Sequence, residues 1–430
     1  MKMTTRLSFA VAAIAILFSC SGPQSVVRSK NLTPEEDLRN SVSILANDSL
    51  EGRGTGTDGE KKAGRWIADQ FASIGLQPKG SDGWFQSFSF KPHPPAQVHQ
   101  VGDSTKLGMA VVKEITGRNV IGYLDNKAEF TVIIGAHYDH LGWGDENSLW
   151  TGGREIHNGA DDNASGVSML IQLARTIVSY KAYNKYNYLF MAFSGEEKGL
   201  WGSNYFCKNP TIDLTKVNYM INMDMVGRLN SEKRLAINGV GTSPEWMKIL
   251  PGLAGEMTLV TSESGVGPSD HTSFYNVNIP VLHFFTGQHE DYHKPSDDAD
   301  KINISGMLQI RTMLLNLIGK LETMERIAFT KTKDETSSPS ASAGDFKVTL
   351  GVIPDYLYDG QGMRIDGTKE GKPAHTAGLI KGDIVKKIGD NEISDMKTYM
   401  QALSKFEKGQ TTPVTIERNG ETMIFQVTWQ

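Results

Sequence analysis

Phe130-Thr131-Val132-Ile133-Ile134-Gly135-Ala136-His137-Tyr138-Asp139-His140 is the stretch from which the fold of this chain is read. Its first half is almost wholly apolar, as expected of a strand buried on both faces of a sheet. It ends on an imidazole, so a metal-binding residue type stands where the strand stops. Tyr188 to Phe193, Val217 to Met223 and Ile279 to Phe285 are further apolar strand candidates. A helix from about Asn163 to Tyr180, another near Pro244 to Ala254 and a long one from Ser305 to Glu325 alternate with them. That alternation predicts an α/β sandwich with a mainly parallel sheet, in which ligands bind beyond the carboxyl ends of the strands.

Upstream, Thr33-Pro34-Glu35-Glu36 reads as an N-cap, a first-turn proline and acids at a positive helix end. Leu38, Val42 and Leu45 then recur at helical spacing. A glycine-rich turn, Leu50-Glu51-Gly52-Arg53-Gly54-Thr55-Gly56-Thr57, leads to a second helix ending near Gly75, with Ala63, Ile67, Phe71 and Ile74 on its inner face. No Gly-Lys-Ser/Thr follows the turn and no strand precedes it, so it is not read as a phosphate loop. Trp84 to Phe90 alternates like a strand, Asn119 to Leu124 is a second, and an edge strand is expected around Met109 to Val112.

The chain has 430 residues, a net charge of -5, 39% hydrophobic and 22% charged residues. The length implies more than one unit, and the charge offers no footing for nucleic acid. Lys2 and Arg6 precede an apolar run from Leu7 to Phe18, too short to cross a bilayer but suited to a secretory signal. The run closes on Ser19-Cys20, which resembles the lipidation site of bacterial lipoproteins. The expectation is a signal over 1–19, a lipidated Cys20, a tether over 20–31 and a place in the cell envelope, with the membrane touched only through the lipid. Cys207 is then the one cysteine of the mature chain, so no internal disulfide forms.

Candidate ligands fall at the strand ends. His137 closes one strand, Glu196 and Glu197 follow another, Asp224 follows a third, and His293 lies in the loop after a fourth. Asp161 precedes a helix start, where backbone amides favour an anion. Mixed histidine and carboxylate donors suit zinc, with cobalt or manganese as substitutes, over calcium or magnesium. Two histidines and three acids suggest two metals sharing a bridging carboxylate. Asp139, two residues past His137, is placed to orient that imidazole.

The ordered set His137-Tyr138-Asp139, Gly159-Ala160-Asp161-Asp162, Gly195-Glu196-Glu197, Met223-Asp224 and Asp291-Tyr292-His293 resembles the zinc-dependent aminopeptidase family that also holds glutamate carboxypeptidase-like and glutaminyl cyclase-like members. The resemblance covers roughly Leu32 to Glu325 and implies a three-layer α/β/α sandwich of the zinc exopeptidase type. It implies Asp161 as the ligand bridging two zinc ions, His137 and Asp224 completing one site, and Glu197 and His293 the other. It also implies Glu196 as general base, Tyr292 as hydrogen-bond donor to the reacting carbonyl, and a substrate-side role for Asp270 and His271. Arg228 stands even between meeting a substrate carboxylate and meeting a structural acid. His140, His157, His283 and His289 are read as loop or core histidines.

Residues 330–344 are rich in Ser, Thr, Lys and Ala and read as a linker between a peptidase unit over 32–329 and a β-rich unit over 345–430. Strands are expected at Val348 to Val352, Gly362 to Asp366, Ile384 to Ile388, Val414 to Arg418 and Met423 to Thr428, with a helix at about Met396 to Phe406. Pro373-Ala374-His375-Thr376-Ala377-Gly378-Leu379-Ile380-Lys381-Gly382-Asp383-Ile384-Val385 resembles a PDZ domain of the circularly permuted bacterial type. The resemblance implies capture of a peptide C-terminus, with the carboxylate loop expected at Gly360, Gln361, Gly362 and Met363. The leading expectation is an aminopeptidase acting on peptides. The alternatives are a carboxypeptidase or glutaminyl cyclase of the same fold, or a non-catalytic envelope protein working through the PDZ-like unit. Neither side-chain preference nor oligomeric state is legible.

Overall fold

A computed structural model describes residues 32–90, 97–101, 104–108, 114–332, 348–355, 358, 360–368, 371–394 and 396–430. The signal, Cys20 and the strand expected around Met109 to Val112 lie outside the described residues.

The first helix, Pro34–Leu45, opens with a reciprocal cap: the Thr33 hydroxyl accepts from the Glu36 N–H at 3.2 Å and the Glu36 carboxylate accepts from the Thr33 N–H at 2.8 Å. The second, Asp58–Ile74, is capped by Thr57 and stops at Gly75, whose φ of 94° suits only a residue without a Cβ. The glycine-rich turn between them packs inward. A Cβ at Gly52 would lie 2.4 Å from the Gly142 carbonyl oxygen and 2.5 Å from that of His157, so only glycine lets this turn approach the loop after His137.

The central sheet has nine strands. Along its path run Gln77–Pro78, Ile115–Leu124, Asn187–Phe193, Thr131–His137, Val217–Met223, Val281–Phe285, Arg234–Asn238 and Thr258–Ser262, with Phe85–Phe90 also paired to Ile115–Leu124. Thr131–His137 is parallel to both Asn187–Phe193 and Val217–Met223, and Val217–Met223 is parallel to Val281–Phe285. Four strands therefore end on one edge of the sheet.

Side-chain alternation divides the core. Val132, Ile134, Phe190 and Ile221 point into a layer with the helices Pro34–Leu45, Asp58–Ile74, Gly166–Ser179 and Ile304–Leu321. Ile133, Leu189, Met191 and Met220 point the other way, against Phe206 and Phe274 of the helices Trp201–Lys208 and His271–Tyr275. The three-layer expectation holds. Arg234–Asn238 and Thr258–Ser262 extend the sheet beyond the strands expected from sequence, and the helix near Pro244 is only the short Trp246–Ile249 followed by a 3-10 turn.

The start of the expected linker is packed. The Thr330 N–H donates to the Thr242 carbonyl at 2.8 Å and the Thr332 N–H to the Tyr275 hydroxyl at 2.9 Å, so the peptidase unit reaches at least Thr332. The C-terminal unit is a sheet in the order Val352–Pro354, Met363–Thr368, Ile384–Ile388, Thr411–Arg418, Glu421–Thr428, around a core that includes Leu350, Val385, Ile416 and Trp429.

Candidate metal centre and active site

His137 is the last residue of its strand, and its Nδ1 lies 3.1 Å from the Asp139 carbonyl oxygen. A proton on Nδ1 leaves the Nε2 lone pair aimed into the cleft, where it meets Oδ1 of Asp224 at 3.2 Å and Oδ1 of Asp162 at 3.3 Å. His293 is built the same way. Its Nδ1 faces the Asn147 carbonyl at 2.9 Å, and its Nε2 lies 3.3 Å from Oδ2 of Asp162 and 3.4 Å from Oε2 of Glu197.

The Asp162 carboxylate thus stands between two imidazole and carboxylate pairs. Donor separations of 3.2 to 3.4 Å match the edges of a tetrahedron drawn around an ion with bonds of about 2.0 to 2.1 Å. The acids Asp162, Glu196, Glu197 and Asp224 converge on the cleft with three imidazoles, His137, His283 and His293, a surplus of negative charge that a bound cation offsets. Donor set and spacing both fit a divalent metal.

Electrostatics show the same surplus. Burial works against charging His137, yet Asp224, Glu196 and bonds to Asp139 and Asp162 outweigh it and carry its pKa well above the ordinary imidazole value. Burial raises the Glu196 carboxyl well above the carboxylate range; His137 opposes this, while Asp224, Glu197 and Asp270 add to it.

One residue expected in this cluster is elsewhere. Asp161 turns Oδ1 to the Gly227 N–H at 2.7 Å and Oδ2 toward Nε2 of His289 at 3.2 Å, and its neighbour Asp162 occupies the shared position. The irregular turn over Ala160–Ser165 sends consecutive side chains in opposite directions, and the regular helix begins only at Gly166. His137, Glu197, Asp224 and His293 do come together, with Glu196 and Tyr292 on the wall of the same cleft. The Tyr292 ring stacks on His293 with centroids 3.8 Å apart.

Asp139 lies with its carboxylate beside His137, Oδ1 3.8 Å from Nδ1, but the shorter bonds of that carboxylate go elsewhere. Its backbone carbonyl faces His137, while its carboxylate accepts from the Glu196 N–H at 3.1 Å and from the Thr55 hydroxyl at 2.7 Å. It thereby ties the glycine-rich turn to the loop bearing Glu196. His140 is no idle loop residue: its Nδ1 lies 2.8 Å from Oε1 of Glu197, a hydrogen-bond distance that holds one oxygen while the other faces His293.

The substrate-side residues are rearranged. Arg228 donates to Asp291 at 2.7 Å and to the Lys301 carbonyl at 3.2 Å, so the structural acid has it. With Lys301 and Ser296 adding bonds against the cost of burial, Asp291 falls to about 2. Asp270 and His271 are fully buried and do not line the cleft. His283 lines it instead, stacked on His271 at 4.5 Å, and burial lowers His283 to about 4, keeping it neutral. His157 bonds to Ser148 and the Glu155 carbonyl. Residue types gave no signal for the roles of Asp162, His140 and His283.

In the C-terminal unit the loop expected to take a carboxylate is engaged. The Gly362 N–H donates to the Ser394 carbonyl at 2.8 Å, the Gln361 carbonyl accepts from Lys386 at 2.9 Å, and Met363 pairs with Val385 inside the sheet. Gly360 is exposed. Among the described residues, the end of this sheet path on that side is Val352–Pro354, preceded by Gly351 with φ of 71°.

Residues 119–318 match peptidase family M28, and residues 330–428 match the PDZ domain. The family match lies over residues 119–318, inside the peptidase unit. A probable leucine aminopeptidase of Arthroderma otae is 28% identical over 242 residues, 52% of this chain and 63% of that protein, so the chain spans less than two thirds of this relative's length. The solved aminopeptidase of Aneurinibacillus sp. strain AM-1 superposes with a TM-score of 0.52 at 18% identity, covering 69% of this chain and 95% of its own. A glutaminyl cyclase of Bacteroides thetaiotaomicron shares the fold at a TM-score of 0.51 and 17% identity, covering 66% and 97%.

Proposed function

We propose that this protein is an exported, lipid-anchored aminopeptidase of peptidase family M28 that holds two zinc ions and removes N-terminal residues from peptides. The observation that carries the reading is the Asp162 carboxylate, one oxygen 3.3 Å from His137 and the other 3.3 Å from His293. His137, Asp162 and Asp224 would hold one ion, and Asp162, Glu197 and His293 the second. Zinc bound there supplies a Lewis acid for the scissile carbonyl and lowers the pKa of water to about 7.

The chain's own groups then handle protons and orientation. Glu196, its backbone fixed by Asp139, takes the proton of the attacking water and returns it to the leaving amine. The Tyr292 hydroxyl donates to the carbonyl oxygen as charge develops there. His140 keeps Glu197 turned to its place. Arg228 is committed to Asp291 instead of a substrate carboxylate, which favours the amino end of the substrate. A peptide C-terminus would add along Val352–Pro354 of the PDZ domain.

The test is to incubate zinc-loaded protein with a mixed peptide library and follow the products by mass spectrometry. Stepwise loss of residues from the amino end is expected. Shortening from the carboxyl end, or cyclisation of N-terminal glutamine without cleavage, would replace the reading, and intact peptides with zinc bound would end it.

A further inference from the structure

We infer that Arg53 and Asp297 are positioning residues that grip the turn 158–162 from opposite sides and so set the place of Asp162 between His137 and His293. This rests on the metallopeptidase reading above. The turn is buried, and there each backbone polar group needs a partner. Its carbonyls are met from one side: the Arg53 guanidinium donates to the Asn158 oxygen at 2.7 Å and to the Gly159 oxygen at 2.9 Å. Its amides are met from the other. The Asp297 carbonyl accepts from the Ala160 N–H at 2.9 Å, and Oδ2 of Asp297 accepts from the N–H groups of Asp161 and Asp162 at 3.0 and 3.1 Å.

Each gripping residue also reaches a metal-facing imidazole through the chain. Nε of Arg53 donates to the carbonyl of Tyr138, the residue after His137, at 2.8 Å. Asp297 lies four residues beyond His293. One rigid guanidinium fork thus spaces the His137 loop from the Asp162 turn, and one carboxylate spaces the His293 loop from it. Arg53 is 1% exposed and Asp297 is 0% exposed, and neither lines the cleft, so both act through the turn rather than on substrate. The hydrogen bonds described for the Arg53 side chain all end on carbonyls, the fourth on Leu45, which is the pattern of a spacer among loops.

The experiment compares full-length wild type with Asp297→Asn and Arg53→Lys. Zinc binding is measured by calorimetry, the cobalt-substituted site by its visible spectrum, and kcat and KM separately on a peptide that the wild type cleaves. Lysine keeps the charge without the fork, and asparagine keeps the shape while placing an amide where Asp297 accepts. The expected result is metal affinity lowered about 10- to 100-fold, an altered cobalt spectrum, and a fall in kcat with KM near wild type. If Arg53→Lys does not fold, Asp297→Asn carries the test. Folded Asp297→Asn with wild-type affinity, spectrum and kcat would overturn the inference alone. Loss of folding in Asp297→Asn would assign its carboxylate to stability and overturn it too. Wild-type protein that takes up neither zinc nor cobalt would overturn the metallopeptidase reading, and this inference with it.

Discussion

Asp162 meets His137 at 3.3 Å, Oδ1 to Nε2, while the preceding residue, Asp161, spends Oδ1 on the Gly227 N–H at 2.7 Å. The two acids are neighbours in sequence and have separate duties. Asp162→Asn is expected to lower zinc affinity and turnover by more than the roughly 10- to 100-fold that outer partners cost. Asp161→Asn should keep both metals and lose stability. Zinc calorimetry alongside thermal unfolding separates the two, and a reversed order would return the shared position to Asp161.

Glu196→Gln removes a proton acceptor while leaving the backbone bond to Asp139 in place. The expected outcome is a fall in kcat of about 100- to 10,000-fold with zinc content unchanged. Turnover equal to wild type would exclude Glu196 as the base.

Metal and proton compete at His137. Its pKa is carried well above the imidazole value by the surrounding acids in spite of burial, so acidification favours the protonated ring over a ligand. Zinc affinity should weaken as pH falls from 7 to 5. Dipicolinate should abolish activity at pH 7 and added zinc restore it, as followed by calorimetry and peptide cleavage.

Glu60 sets a separate pH dependence, of stability. It is 1% exposed, and burial pushes its carboxyl up to about 8, with Asp139 adding to the rise and bonds from Ser194 and the Gly56 N–H opposing it. The folded state therefore holds a proton that the unfolded chain releases near its ordinary value of 4.5. The contribution is fully present below that value and is lost as pH rises through about 8, a loss on the order of a few kcal/mol. Melting temperatures from pH 5 to 9 should fall more steeply in wild type than in Glu60→Gln. Parallel slopes would refute the assignment.

Strands buried on both faces announced themselves. Val217–Met223 has the limits expected from its apolar run, and the half-buried Ile384–Ile388 also keeps its expected limits. Arg234–Asn238 and Thr258–Ser262 did not, because they lie toward the sheet edge, where Thr258 and Ser262 are exposed and no apolar run is required. Among the described residues of the C-terminal unit the first strand is Val352–Pro354, where Val348 to Val352 was expected, and it ends the sheet path beside Met363–Thr368.

By itself the sequence determined the chemistry of the centre: imidazoles and carboxylates at the ends of apolar strands, which a parallel sheet must deliver to one edge. Only the tertiary structure decided which of two adjacent acids enters the centre, because an irregular turn, not residue type, aims Asp162 inward and Asp161 away. It also decided that Arg228 belongs to Asp291 and that Arg53 and Asp297 hold the turn. Apart from the Arg53 bond to Leu45, the Arg53 and Asp297 side chains bond to backbone groups 85 to 136 residues distant. A backbone carbonyl or amide is the same at every position, so such a partner leaves no mark in the sequence.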